Sequence, residues 1–140
     1  MKELEKSHKA GIIHNDIKMG NILVNSEGEH FKSCEVELID WNLASFYYTG
    51  VDINNKRGTV CYYSPEQLFL TYHITPAIDI WALGVVMFIY YTDRKPFFGV
   101  GCKKDNLKAI ASLVGGRKLI DNYAKYGHNN IEIINFLMDM

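Results

Sequence analysis

Residues 14–21 read HNDIKMGN, which places Asp16, Lys18 and Asn21 in one short loop between two apolar runs. Asp40 follows at the end of a later strand-like segment. Transfer of a γ-phosphoryl group asks a protein for these residue types. A carboxylate receives or orients the hydroxyl proton, carboxylate and amide oxygens hold Mg²⁺ against the phosphates, and a cation offsets charge on the moving group. Asp16 suits the first role, Asp40 with Asn21 the second, and Lys18 the third. Hard oxygen ligands match Mg²⁺, which keeps waters and shares its shell with phosphate. Taken alone, the loop also reads as a polar turn joining a helix to a strand.

Several elements must position these groups. Met1 to Lys9 is charged and helix-favouring, with Gly11 as its stop. Asn21–Asn25 and Glu35–Ile39 are short β-type runs flanking a polar, Gly28-containing stretch, which predicts an antiparallel hairpin. Residues 40–63 show no clean periodicity and predict a long irregular loop, a kind that is usually functional or disordered. Helices are expected around Pro65–Leu70, Pro76–Tyr91, Asp105–Val114 and Ile131–Met140, with Pro96 ending the long apolar one. A lone hairpin buries little, so it should pack on the helices. Trp81, Met87, Phe88 and Tyr90 are expected in the core.

At 140 residues the chain is one domain or a piece of one, and its net charge of −1 gives no global attraction to nucleic acid or anionic membrane. Cys34, Cys61 and Cys102 are odd in number and scattered, so they fit neither a disulfide framework nor a zinc site. The polar start MKELEKSHKAG is no signal peptide, and the apolar run Ile80–Tyr91 is too short to span a bilayer. The glycine clusters at 99–101 and 114–116 lack the strand-before, helix-after setting of a phosphate loop. Lys103 and Lys104 fit a solvated face.

In order along the chain, HNDIKMGN, LIDWNLA, GTVCYYSPE and DIWALGVV resemble the catalytic loop, metal-binding triplet, activation-segment end and central helix of eukaryotic protein kinases. Lys18 resembles the serine/threonine pattern. LIDWNLASFYYTG, KPFFGVG and KAIASLVGGRKLIDNYAKY are most similar to casein kinase II catalytic subunits. The resemblance implies a fold that is mainly α with a small β-hairpin, the helical C-terminal lobe of the kinase-like fold with its N-terminal lobe absent. Residues 1–140 would then be one partial kinase domain, truncated at both ends.

The implied roles are Asp16 as catalytic base, Lys18 on the phosphate, Thr59 as a hydroxyl on Asp16, and Asn21 and Asp40 as Mg²⁺ ligands. Leu23 and Ile39 would floor the adenine pocket, and Asp79 would hold the catalytic-loop backbone. Thr59 fits a plain turn hydroxyl about as readily. ATP and Mg²⁺ are the implied ligands. A protein substrate and a regulatory subunit are the implied partners, with no nucleic acid or membrane, in the cytoplasm or nucleus.

The pattern also departs from the family. Asn15 replaces the arginine that pairs with an activation-loop phosphate, so no such switching is expected. Asn42 replaces the triplet glycine, a change asparagine's tolerance of positive φ would accommodate. Lys56 and Arg57 remain, but Val60 and Tyr63 stand where an acid-reading kinase would carry basic residues. A Gly-rich loop and strand lysine are missing from these residues, so the isolated chain should transfer phosphate negligibly. Glu66 would lack the arginine that usually pairs with it. Two other readings compete: a pseudokinase fragment used as an interaction surface, and a small-molecule phosphotransferase, since choline and aminoglycoside kinases share H-N-D and I-D-W.

Overall fold

The computed structural model describes residues 2–26, 34–49, 57–69, 74–93 and 103–125. Helix α1 (Lys2–Lys9) carries Glu3 and Glu5 in its first turn and Lys6, His8 and Lys9 in its last, which complements the helix dipole. Gly11 ends it at φ 72, donating its N–H to the His8 carbonyl. The chain then enters β1 (Ile12–Ile13), the candidate loop, and the hairpin β2 (Ile22–Ser26) and β3 (Cys34–Leu38). The hairpin is antiparallel, with Ile22 opposite Leu38 and Val24 opposite Val36.

Strand alternation divides the hairpin into two faces. Leu38 packs with Leu4, Ile17, Ala82 and Val86, and its N–H donates to the Glu3 carboxylate at 2.8 Å. The expected docking of hairpin on helices is therefore present. The opposite face carries Leu23 and Glu37, which are exposed.

Residues 40–49 and 57–63 hold more regular structure than their lack of periodicity suggests; the rest of that expected loop lies outside the described residues. A 3₁₀ turn spans Trp41–Leu43, and β4 (Ser45–Phe46) pairs antiparallel with β1. A second 3₁₀ turn spans Val60–Tyr62. Two-residue strands are too short to show a period. Asn42 does not take a positive φ; Asn15 (φ 68) and Asp40 (φ 63) do. The left-handed turn falls on the aspartate of the triplet, and Asn42 lies inside the 3₁₀ turn that follows.

Helix α2 (Pro65–Leu68) is short, with Ser64 N–H donating to Gln67 Oε1 at 3.1 Å in the reach-back of a capping box. Glu66 is only half-buried in its first turn and has interactions of its own, so it is not the buried unpaired charge expected. Helix α3 (Ala77–Thr92) follows, then α4 (Lys103–Val114) and α5 (Gly116–Lys125). Helix α5 lies outside the helices expected from the sequence: Gly115 turns at φ 91 and α5 begins next to it. The expected helix at 131–140, the cluster at 99–101, Lys56 and Cys102 lie outside the described residues.

Helix α3 corrects the core expectation for Met87, Phe88 and Tyr90, whereas Trp81 packs against the cluster around Tyr63. Ile78, Asp79, Ala82, Val85 and Val86 are buried, but Ile80, Met87, Phe88, Tyr90 and Tyr91 are exposed among the described residues. The helix is apolar nearly all round, so periodicity could not say which face turns inward. It also stops before Pro96: Asp93 adopts φ 52 and its N–H caps Ile89 at 2.8 Å. A second cluster joins Tyr63, Leu68, Phe69, Val85, Leu107 and Ile110. Among the described residues no helix is long and apolar enough to cross a membrane.

Candidate functional site

Asp79 fixes the candidate loop. It is 1% exposed in the first turn of α3, a charge that burial would penalise heavily without partners. Its Oδ2 accepts the His14 N–H at 2.8 Å and its Oδ1 the Asn15 N–H at 2.9 Å. His8 Nε2 lies 2.8 Å from Oδ2. One carboxylate thus joins α1, α3 and the loop backbone.

The two residues it holds turn in different directions. His14 is fully buried; its Nδ1 accepts the Asp16 N–H at 3.3 Å, so its Nε2 is the nitrogen that donates to the Ile39 carbonyl at 3.1 Å. Its ring lies 4.5 Å from that of Trp41, and with both nitrogens engaged it is a brace. Asn15 adopts the left-handed region, which Asn and Asp visit more readily than other L-residues. Its Nδ2 donates to the Leu43 carbonyl at 2.8 Å and to Ser45 Oγ at 2.9 Å. It ties the loop to the segment after the triplet.

Asp16 stands next, 6% exposed. Its Oδ1 accepts the Thr59 hydroxyl at 2.7 Å, and its Oδ2 accepts Lys18 Nζ at 2.6 Å. Lys18 Nζ also reaches Thr59 Oγ1 at 3.5 Å. Burial pushes the Asp16 carboxyl up, but the Lys18 and Thr59 hydrogen bonds and the Lys18 charge outweigh it and hold the carboxyl below its ordinary value. Lys18 is raised, first by its bond to Asp16, against some burial, and then by the charges of Asp16, Asp40 and Tyr62. Burial and the nearby Asp16 charge push the Tyr63 phenol up.

Asn21 is buried and donates Nδ2 to the Asp16 carbonyl at 2.9 Å and to its Oδ2 at 3.3 Å. With its nitrogen committed there, its amide oxygen takes no hydrogen bond among the described residues. Asn21 O accepts the Ile39 N–H at 3.0 Å, which extends the hairpin ladder and sets Asp40 one residue beyond. The Asp40 side chain is exposed and makes no hydrogen bond or ion pair among the described residues, yet its charge acts on Lys18. These are two hard oxygen donors left open beside an ammonium, a donor set that fits Mg²⁺. Leu23 is half-exposed on the face of the hairpin that its alternation shares with Ile39.

The structure thus draws Asp16, Lys18, Asn21 and Thr59 into one hydrogen-bonded group, with Asp40 close enough to act on its cation. Leu23 and Ile39 lie on the hairpin leading from it. Thr59, which the sequence left open between two roles, bonds the carboxylate directly. Sequence reasoning missed Asn15 and Gly58 as structural partners. Gly58 sits at φ 104 with its backbone against the Asn15 carbonyl, and the available signal was a glycine just before Thr59. Arg57 is exposed. Cys61 is a free, half-buried thiol.

The family model described as the protein kinase domain matches residues 1–140. Casein kinase II subunit alpha' of Saccharomyces cerevisiae is 31% identical over 137 residues, covering 97% of this chain and 39% of that protein. A Dictyostelium discoideum protein named as a probable serine/threonine-protein kinase is 33% identical over 127 residues, 91% of this chain and 20% of its own length. The chain spans well under half of either relative.

Proposed function

Since the chain belongs to the protein kinase family, we propose that residues 1–140 carry the catalytic-loop side of a site that transfers the ATP γ-phosphoryl group to serine or threonine of a protein. The observation that carries this reading is the Asp16 carboxylate with a hydroxyl on one oxygen and an ammonium on the other. Oδ1 already accepts a threonine hydroxyl at 2.7 Å, the contact through which a carboxylate orients a target hydroxyl. Held ionised by Lys18, it stays able to accept that proton.

Lys18 keeps its positive charge where negative charge builds on a transferring phosphoryl group. Asn21 Oδ1 and the Asp40 carboxylate are the oxygens that would hold Mg²⁺, and Leu23 and Ile39 offer an apolar face to adenine. Bound Mg·ATP would supply the phosphoryl group and the charge neutralisation of its phosphates. Lys18, two residues after Asp16, favours serine and threonine over tyrosine. The casein kinase II relative makes a regulatory subunit a natural partner to look for.

These 140 residues contribute one wall of a nucleotide pocket, whereas pockets usually enclose about 70–90% of a ligand. By themselves they should transfer phosphate negligibly. The test is radiolabel transfer from ATP to protein, using the polypeptide that carries these residues in the cell and its Asp16→Asn variant. Phosphoserine or phosphothreonine formation that falls by about 10²-fold or more in the variant supports the reading. Transfer that survives Asp16→Asn, or that goes to choline and no protein, contradicts it.

A further inference from the structure

Asn106 lies on α4, away from the candidate loop in sequence, and is 2% exposed. Its Nδ2 donates to the Val60 carbonyl at 3.3 Å. That carbonyl also accepts the Tyr63 N–H at 3.1 Å, while Tyr62 N–H donates to the Thr59 carbonyl at 2.9 Å. Val60 therefore takes one bond from inside its own 3₁₀ turn and one from a helix outside it. Thr59, one residue earlier, carries the hydroxyl that sits on Asp16.

The other end of the Asn106 amide is unsatisfied. Oδ1 is buried and has no partner among the described residues. Flipping the amide would set that oxygen against the Val60 carbonyl, two acceptors face to face, so Val60 fixes the orientation. Its neighbours Leu107, Ile110 and Ala111 are buried in an apolar cluster. A leucine of similar size would leave no buried acceptor unpaired there. The amide's contribution is thus direction at Val60, and stability does not explain it.

We infer that Asn106 is a positioning residue for the candidate site, holding the Val60 carbonyl from α4 so that the Thr59 hydroxyl stays on Asp16. The inference rests on the reading of Asp16 as the group that receives a target hydroxyl, and it adds a route from α4 to that carboxylate. Gly58, packed on the Asn15 carbonyl, anchors Thr59 from one side; Val60, tied to α4, anchors it from the other. A partner or substrate that displaces α4 would loosen the second anchor.

The test compares Asn106→Leu and Asn106→Asp with the unaltered chain. Two quantities are read: the Thr59 χ1 rotamer population, from three-bond couplings to its Cγ2, and the urea unfolding midpoint. Thr59 should occupy one rotamer in the unaltered chain and lose about half of that population in both variants. The midpoint of Asn106→Leu should be unchanged or higher. A Thr59 that keeps one rotamer in both variants overturns the inference. So does averaging that comes with a lower Asn106→Leu midpoint, or failure of both variants to fold, since either makes Asn106 a plain structural residue. No nucleotide is needed, so a negative result removes Asn106 and leaves the phosphotransfer reading intact. A failed transfer assay removes the phosphotransfer reading and the role of Asn106 in it, while the coupling of Asn106 to the Thr59 rotamer still stands or falls by the rotamer measurement.

Discussion

Gly58 lies so close over Asn15 that a Cβ on it would stand 2.2 Å from the Asn15 carbonyl oxygen. Its φ of 104 is also closed to most L-residues. The contact presses the segment bearing Thr59 onto the loop bearing Asp16. Gly58→Ala should therefore cost about 2 kcal/mol or more, since strained backbone alone costs roughly 1–3 kcal/mol. Gly84 is the control: exposed within α3 and with open space around it, its change to Ala should gain about 0.5–1 kcal/mol. Urea unfolding of the two variants measures both signs.

Asp79 should be the least replaceable carboxylate among the described residues. Asp79→Asn keeps the shape but puts an NH₂ against one of the two backbone N–H donors it now accepts. A lost charge-assisted bond and a stranded buried donor together should cost about 3–5 kcal/mol. His8→Ala, which removes only a side-chain partner of the same carboxylate, should cost less. Chemical denaturation of both variants gives the order, and His8→Ala as the larger loss would contradict it.

The Asn15 side chain holds the Leu43–Ser45 segment through its amide donors. Asn15→Asp retains tolerance of positive φ but turns the donor into an acceptor against the Leu43 carbonyl. The variant should lose about 1–3 kcal/mol. Exchange of the Tyr47 amide, which bonds the Gly11 carbonyl at 2.7 Å beside β4, should accelerate. Amide hydrogen exchange followed residue by residue checks this, and an unchanged Tyr47 rate counts against the clasp.

Asp16 links the site to pH. Its carboxyl is held below the ordinary value when folded, so its stabilising contribution is present above the unfolded pKa and is lost as pH falls through the folded one. Thr59→Val removes one cause and should move the Asp16 titration upward, bringing acid unfolding to higher pH. Lys18→Met should move it further, because burial then acts with only Thr59 opposing it. Lys18 itself is raised, so its contribution is present below the unfolded pKa and fades as pH rises through the folded one. Carboxyl ¹³C titration without divalent metal reads the Asp16 shifts.

Much of the site was legible because its spacing is local. Asp16, Lys18 and Asn21 share one loop, and the antiparallel pairing of the hairpin returns the chain to it just before Asp40. The antiparallel pairing of β2 with β3 was readable from two β-type runs around a polar stretch. Other features left no local mark. Strands β1 and β4 are two residues each, and their pairing is a contact between distant segments. The exposed face of α3 carries Ile80, Met87, Phe88 and Tyr91, residues that composition assigns to a core. Nothing in H-N-D announces that the asparagine is left-handed, or that its amide bonds Leu43 and Ser45. Those depend on which backbone happens to lie within reach.

The central claim is that Asn21 and Asp40 offer their free oxygens to one cation held beside Asp16 and Lys18. Titrating the chain with Mn²⁺ and ATP and recording paramagnetic broadening residue by residue tests it directly, since even weak binding broadens nearby signals. Signals of Asn21, Asp40 and Asp16 should fade first, and Asp40→Ala should abolish the effect. Broadening centred on Glu35 and Glu37, or unchanged by Asp40→Ala, would contradict the account.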